Sequence, residues 1–394
     1  MDWIITECKK KEEKLLDLRR RLHRVPEIGG HLPKTRKIVC DYLDGLGIAY
    51  TLNATDHGVV AQIEGTGPGK TLAFRADMDA LHIEEEGEQS FCSQIPGQMH
   101  GCGHDAHTAM LLIAAELLME HRQEWKGRVR LLFQTGEETG TGAKEMLANG
   151  ALEGVDAIAA LHVGNIAGDE HQPGDLIVLG GPVSAGKNKF TITVNGKGTH
   201  SAFPEKGIDP ILIAARIVNG CEEIMARELP AGTAAVLSFG SFQAGLDHNT
   251  IPETAVLRGS IRVQDEGLRD HIGQRLKTMA EKIAEAFGAT CCVELKKGSV
   301  TVVNDEALAA QVAEAATKVL GKSKVVTKVS HALMGSDDFA NYASRIPGAY
   351  IFLHTNNPQK GITEANHSPR FDIEESVLWE GVATYVALVK EWNK

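Results

Sequence analysis

Basic charge, long apolar runs and regularly spaced cysteines are all in short supply in this sequence, and each shortage removes a class of function. Lysine and arginine total 41 against 52 aspartates and glutamates, a formal net charge of −11. A nucleic-acid binder needs a concentrated basic surface, so no nucleic-acid partner is expected. The longest apolar run, residues 109–119, is interrupted by Glu116. It is too short to cross a bilayer, and no membrane partner is expected. The opening stretch MDWIITECKKKEEKLLDLRRRLHRVPE is charged throughout and lacks the apolar core and small-residue cleavage site of a secretory signal. Of seven cysteines, Cys291 and Cys292 are adjacent and the other five are scattered, with no CxxC pair. That pattern speaks against a disulfide framework and a zinc ribbon and fits a reducing compartment, so the expected location is cytoplasmic. A nicotinamide-dependent reading fails too. GTGPG (65–69) lies between two short strands, without the strand-to-helix GxGxxG fingerprint.

What is present describes an ordinary globular chain: 43% apolar and 24% charged residues in a length of 394. That length exceeds what one core usually fills, which predicts two domains. Periodicity predicts helices over 2–24, about 34–46 and 106–121, a short helix ending at Gly150, and strands at 59–63, 71–75, 129–133 and 157–161. Such alternation implies a largely parallel sheet covered on both faces. At 180–186 the composition shifts to GGPVSAG, the expected hinge. Beyond it come a strand at 190–194, a helix at about 209–227, strands at 235–239 and 255–263, a helix at about 266–287 and a strand at 291–295. This is the order of a split βαβ sandwich. A helix near 305–319, a strand at 349–353 and a helix near 373–391 then resume the first pattern. The expected fold is an α/β domain with a mostly parallel sheet, residues 1–185 plus 298–394. It is interrupted by a smaller α+β, ferredoxin-like domain at 186–297.

Potential ligands gather where successive strands end. Asp77 and Asp79 follow the strand ending at Arg75. Residues 99–107 read MHGCGHDAH on a glycine-rich loop entering a helix, Glu137 and Glu138 follow the strand RVRLLFQ, and His162 follows AIAAL. Ligands in open α/β sheets bind beyond the carboxyl ends of strands. Each group alone has a structural explanation: adjacent glutamates favour a helix N-terminus, and Asp77 and Asp79 can cap a helix. Their convergence on one sheet edge is harder to explain structurally. Cysteine, histidine and carboxylate together suit zinc- or manganese-like ions, and the mixed set points to a catalytic site. Such an ion acidifies bound water and polarises a carbonyl, while a glutamate that does not ligate it can move the proton. Adjacent glutamates allow that division of labour.

FRADMDAL (74–81), MHGCGHDAHTA (99–109), FQTGEETGTGAKEM (133–146), ALHVG (160–164), NGKGTHSAFP (195–204), HNTIPE (248–253) and GSDDF (335–339) resemble metallopeptidase family M20. The resemblance is strongest to its amidohydrolase branch of aminoacylase-like, hippurate and auxin-conjugate hydrolases. It covers nearly the whole chain in order. It implies a dinuclear metallohydrolase domain with Cys102, His104, Glu138, His162 and His367 as metal ligands and Glu137 as general base and acid. Two divalent ions per subunit follow, drawn from manganese, zinc, cobalt or nickel. The inserted domain is implied to act as a lid and to make homodimers, with His200 completing the neighbouring site. Asn249 resembles a substrate contact, and Arg262 is a candidate for holding the substrate carboxylate. FQTGEE departs from the usual Pro-Ala before the glutamates, MHGCGHD has glycine where alanine is common, and His82 stands where proline often follows. None of these removes a ligand. The reaction expected is cleavage of the amide bond of a small N-acyl amino acid. A dipeptidase or carboxypeptidase using the same metals, and a non-catalytic binding protein on the same scaffold, are the alternatives.

Overall fold

The structure, a computed structural model, describes residues 1–52, 58–166, 168 and 170–394. It divides into two compact units: Met1–Val183 with Val302–Leu333 and Asp337–Lys394, and Ser184–Thr301 with Met334–Ser336. The three residues Met334–Ser336 go with the smaller unit because their backbone is bonded there. Ala185 N donates to Gly335 O (2.7 Å), and Arg262 Nη1 donates to Met334 O (3.0 Å).

The larger unit is built on an eight-stranded sheet in the order Tyr50–Leu52, Val59–Glu64, Arg128–Gln134, Thr71–Asp77, Ala157–Gly164, Gly348–His354, Leu176–Ile177, Val325–Val326. The four strands from Arg128–Gln134 to Gly348–His354 run parallel, while Val59–Glu64 joins Arg128–Gln134 antiparallel. Thr71–Asp77, Ala157–Gly164 and Gly348–His354 are buried at every position, as strands covered on both faces must be. On one face lies the helix His104–Glu120, whose Leu111, Leu112, Ile113 and Leu117 are fully buried beside Leu378–Trp392. Truncating one such leucine to alanine costs ~2–5 kcal/mol. On the other face Leu132, Ile158, Phe339, Tyr342 and Tyr350 form a second apolar layer.

Boundaries differ from the sequence expectation in instructive places. The expected helix over 2–24 is two helices, Asp2–Lys10 and Glu12–His23, joined at Lys11, whose ammonium bonds Glu116 (2.8 Å) and Glu120 (2.6 Å) of the buried helix. The final helix begins at Leu378, later than expected, after a single turn at Glu375–Val377.

In the smaller unit four antiparallel strands run in the order Ala235–Ala244, Thr254–Val263, Gly186–Asn195, Thr290–Lys297. With helices Pro210–Glu223 and Glu266–Ala286 this is the split βαβ sandwich. Alternate residues Phe190, Ile192 and Val194 face the helices' Ile213, Ile217, Ile272 and Leu276. Helix starts are set by aspartate caps: Asp209 accepts from Ile211 N (2.8 Å) ahead of Pro210, and Asp265 accepts from Leu268 N (2.7 Å).

Candidate metal centre

The parallel strands end together, and the carboxyl edge they form carries the polar side chains. Thr71–Asp77 delivers Asp77 and then Asp79, Arg128–Gln134 leads into Glu137 and Glu138, and His162 sits near the end of Ala157–Gly164. The loop carrying Cys102 meets the helix His104–Glu120 at Gly103, with φ +86. A Cβ there would stand 2.4 Å from Val163 Cγ2, so the approach of loop to strand requires glycine.

Hydrogen bonds through Nδ1 fix the rings of His104 and His162 and leave Nε2 of each facing the site. His104 Nδ1 donates to Asp79 O (2.8 Å), and its buried Nε2 has no hydrogen-bond partner among the described residues. His162 Nδ1 donates to Val163 O (2.7 Å), turning Nε2 to within 3.5 Å of Cys102 Sγ. His107 is spent at both ends: Nδ1 meets Asp77 Oδ1 (2.6 Å) and Nε2 accepts from Val163 N (2.9 Å). Asp79 accepts from Glu137 N (3.0 Å) and Glu138 N (3.1 Å), which pins the turn that presents both glutamates. His367, at φ +71, brings Nε2 to 3.2 Å from Glu138 Oε1 and donates its backbone N–H to Gly101 O (2.7 Å).

These atoms form two three-donor sets, Cys102–His104–His162 and Cys102–Glu138–His367, that share Cys102. Glu137 stands beside them, in a further set with His104 and Glu138. Two sets meeting at one sulfur suit a pair of divalent ions, and the mixture of sulfur, imidazole and carboxylate is what such ions prefer. The electrostatics agree. Cys102 and Glu138 push His367 up to about 10, and Asp77 and Cys102 overcome burial to hold His104 well above the usual histidine range. The negative groups around these rings would equally favour a divalent ion, which both imidazoles can ligate only after releasing their protons. His162 is instead driven well below by burial and by His107, which keeps its lone pair open.

Glu137 is raised well above the ordinary carboxylate range, by burial first and then by Asp337, Asp338 and Glu138. Behind it lies a buried cluster on Arg75, whose guanidinium reaches Asp77 (2.5 Å), Asp338 (2.9 Å), Asp337 (3.2 Å) and Gln134 (3.0 Å). Burial, with Asp337 adding to it against Arg75, pushes Asp338 up to about 7. Asp338 N in turn faces Glu137 Oε1 at 3.3 Å. The sequence reading passed over Arg75, Asp337 and Asp338 as site residues. The segment GSDDF (335–339) says nothing of an arginine partner more than 260 residues earlier.

The smaller unit carries the other three named residues. His200 and Asn249 lie together on a short two-stranded ribbon, where His200 pairs with Thr250 and Ser201 N donates to Asn249 O (2.9 Å); both are exposed. His200 Nδ1 accepts from Ala202 N (3.0 Å), which puts the ring proton on Nε2. Arg262 is not brought to that ribbon. It sits eight residues along its strand from Thr254, roughly 26 Å at the usual rise per residue.

Residues 73–391 match the profile of the peptidase family M20/M25/M40. The chain is 35% identical to thermostable carboxypeptidase 2 of Saccharolobus solfataricus, over 98% of each protein. It is also 35% identical to the N-acetyl-L-cysteine deacetylase of Bacillus subtilis, over 93% of this chain and 85% of that one. Among solved structures it resembles the YXEP protein of Bacillus subtilis, a dinuclear metal-binding peptidase of the M20 family. The TM-score is 0.81 at 33% identity, covering 97% of this chain and 98% of that one. No helix of the described residues is long and apolar enough to cross a membrane.

Proposed function

The chain belongs to the peptidase family M20/M25/M40 and is a metal-dependent amide-bond hydrolase with a dinuclear site, and on that premise we propose that it removes the C-terminal amino acid of a short peptide. The observation that supports this mechanism is the pair of donor sets joined at Cys102 with Glu137 alongside. The sequence alone put N-acyl amino acids first. The carboxypeptidase reading moves ahead because the carboxypeptidase relative matches essentially end to end, 98% of both chains. Simple N-acyl amino acids form the second reading, supported by the deacetylase relative. Both substrates present the same bond, an acyl group on the nitrogen of an amino acid whose carboxylate is free.

Cys102, His104, Glu138, His162 and His367 would hold the two ions, which supply polarisation of the amide carbonyl and a water of lowered pKa. Glu137 takes the proton of the attacking water at its carboxylate and returns it to the leaving nitrogen, a role suited to a carboxyl whose proton affinity is raised by burial and by Asp337 and Asp338. Asp79 keeps Glu137 and Glu138 apart in function by fixing both backbone amides. His200 offers its Nε2 proton to the developing oxyanion, in a homodimer formed through residues 186–297. Asn249, on the same ribbon, contacts the substrate. Arg262 gives Nη1 to Met334 O and, lying far along its strand from the ribbon, would meet the substrate carboxylate only from the protomer opposite the one that supplies His200 and Asn249.

The test is a panel of short peptides, N-acetyl and N-benzoyl amino acids, assayed with added manganese, zinc or cobalt and after chelation. Peptides turned over faster than acyl amino acids support the first reading, and the reverse order supports the second. Activity that survives complete removal of metal contradicts both.

A further inference from the structure

Asn366 precedes His367 and has no assigned part in the site, yet its side-chain amide touches the backbone beside three of the proposed donors. Its Nδ2 lies 3.2 Å from Val163 O, 3.3 Å from Cys102 O and 3.9 Å from Cys102 Sγ. All three neighbours are acceptors, so the amide must present its NH2 group here and not its oxygen. Val163 O is the same carbonyl that receives His162 Nδ1 (2.7 Å), so one carbonyl joins the Asn366 amide to the ring of His162. The next residue, His367, holds the one positive φ outside glycine among the described residues. Left-handed backbone is costly for such a residue and persists only where its surroundings impose it. Gly101 O and the Asn366 amide are the two anchors that do so here.

Room for the amide comes from a missing side chain. At Gly164, with φ +140, a Cβ would stand 2.2 Å from Asn366 Oδ1 and 2.7 Å from Nδ2. The ALHVG segment therefore supplies His162 as a donor, Val163 as an acceptor for Asn366, and Gly164 as the space the amide fills.

We infer that Asn366 is a positioning residue of the dinuclear site: it ties the segments of Cys102, His162 and His367 together and steadies the shared sulfur through a weak N–H···S contact. This rests on Cys102 being the shared ligand. Outer groups that orient ligands are typically worth about 10- to 100-fold in metal affinity. The amide spends its two N–H groups on two carbonyls and a sulfur, so its removal should loosen both donor sets at once.

The experiment loads the full-length protein, Asn366→Ala and Asn366→Asp with cobalt(II). It follows the sulfur-to-cobalt charge-transfer absorption and measures affinity by chelator competition. Thermal melts of the metal-free proteins show whether each variant folds. Asn366→Asp keeps the shape of the side chain while removing both donors, so it serves if the alanine variant melts early. Both variants should bind cobalt about 10- to 100-fold more weakly and show a displaced charge-transfer band, with the aspartate the weaker binder because it sets a carboxylate against two carbonyls. Parent-like affinity and an unshifted band in a folded variant would overturn the role of Asn366 alone. A parent protein that shows no sulfur-to-cobalt band would refute Cys102 as ligand, and this inference with it.

Discussion

The two places that carry the named residues are built in opposite ways. At the sheet edge of the larger unit, His104, His107 and Asp77 are almost fully buried and all but His104 Nε2 of their ring nitrogens are engaged. On the ribbon of the smaller unit, His200 and Asn249 are exposed and held mainly by backbone pairing. The first arrangement is largely set before any ligand arrives, because burying so many polar groups is tolerable only if most are satisfied, and His104 Nε2 is left as a buried atom for a ligand to meet. The second leaves its side chains free to meet something else. Metal binding should therefore depend on the first region alone, while the role proposed for His200 would make transition-state stabilisation depend on the second as well.

The strongest way to break that division is to remove a donor from the buried edge. Cys102→Ala and His104→Ala should each lose metal and activity together, since one takes away the atom common to both donor sets and the other a ring already aimed by Asp79. Elemental analysis beside a turnover assay checks this; a variant that retains its metal would break the ligand assignment.

Substitution on the exposed ribbon should behave differently. His200→Ala is expected to keep the parent's metal and to turn over roughly a hundred- to thousandfold more slowly, the usual consequence of losing one oxyanion donor. Mixing inactive His200→Ala chains with inactive Glu137→Gln chains then asks where His200 acts. Recovered activity in verified mixed dimers means donation across an interface. Verified mixed dimers without recovery mean that it acts within its own chain or not at all.

How much of this was legible from sequence follows the same line. The sheet-edge positions of Asp77, Glu137, Glu138 and His162 were readable because the hydrophobic period placed them after consecutive strands, and parallel topology then brings them to one edge, whereas the ligand roles proposed for Cys102, His104 and His367 came only from the family resemblance. The strand order of the smaller unit was likewise carried by its alternation of elements. What local pattern does not encode is long-range pairing. Nothing near Arg75 announces Asp337 and Asp338, and nothing near Asn366 announces its close approach to Gly164. The break at Lys11 was hidden because the apolar residues on either side keep helical spacing, while the ion pairs to Glu116 and Glu120 belong to tertiary structure. The antiparallel pairing of Val59–Glu64 escaped for a related reason, since alternation gives a strand but not its direction.

The mildest test separates buried acidity from catalytic acidity within the larger unit. Glu380 is buried far from the ligand loop in sequence and is pushed up to about 7, by burial first, with Lys324 opposing and Asp175 assisting. A carboxyl whose folded pKa exceeds its unfolded value costs stability as it ionises. The penalty is absent at pH 4, grows between about 4.5 and 7, and is complete above that. Glu380→Gln should therefore melt higher than the parent at pH 8, by on the order of 1–3 kcal/mol in stability, and like the parent at pH 4. Equal melting at both values would show that Glu380 is already relieved by its neighbours.

The division between holding metal and moving a proton is tested most directly at Glu137→Gln. The substitution keeps the size of the side chain and the backbone bond to Asp79 but removes the carboxylate that Asp337 and Asp338 bias toward its proton. The variant should retain the parent's full metal content while turnover falls by roughly 10²- to 10⁴-fold, the range typical for a lost general acid–base group. Loss of metal from Glu137→Gln in step with activity, or turnover close to the parent's, would contradict the assignment.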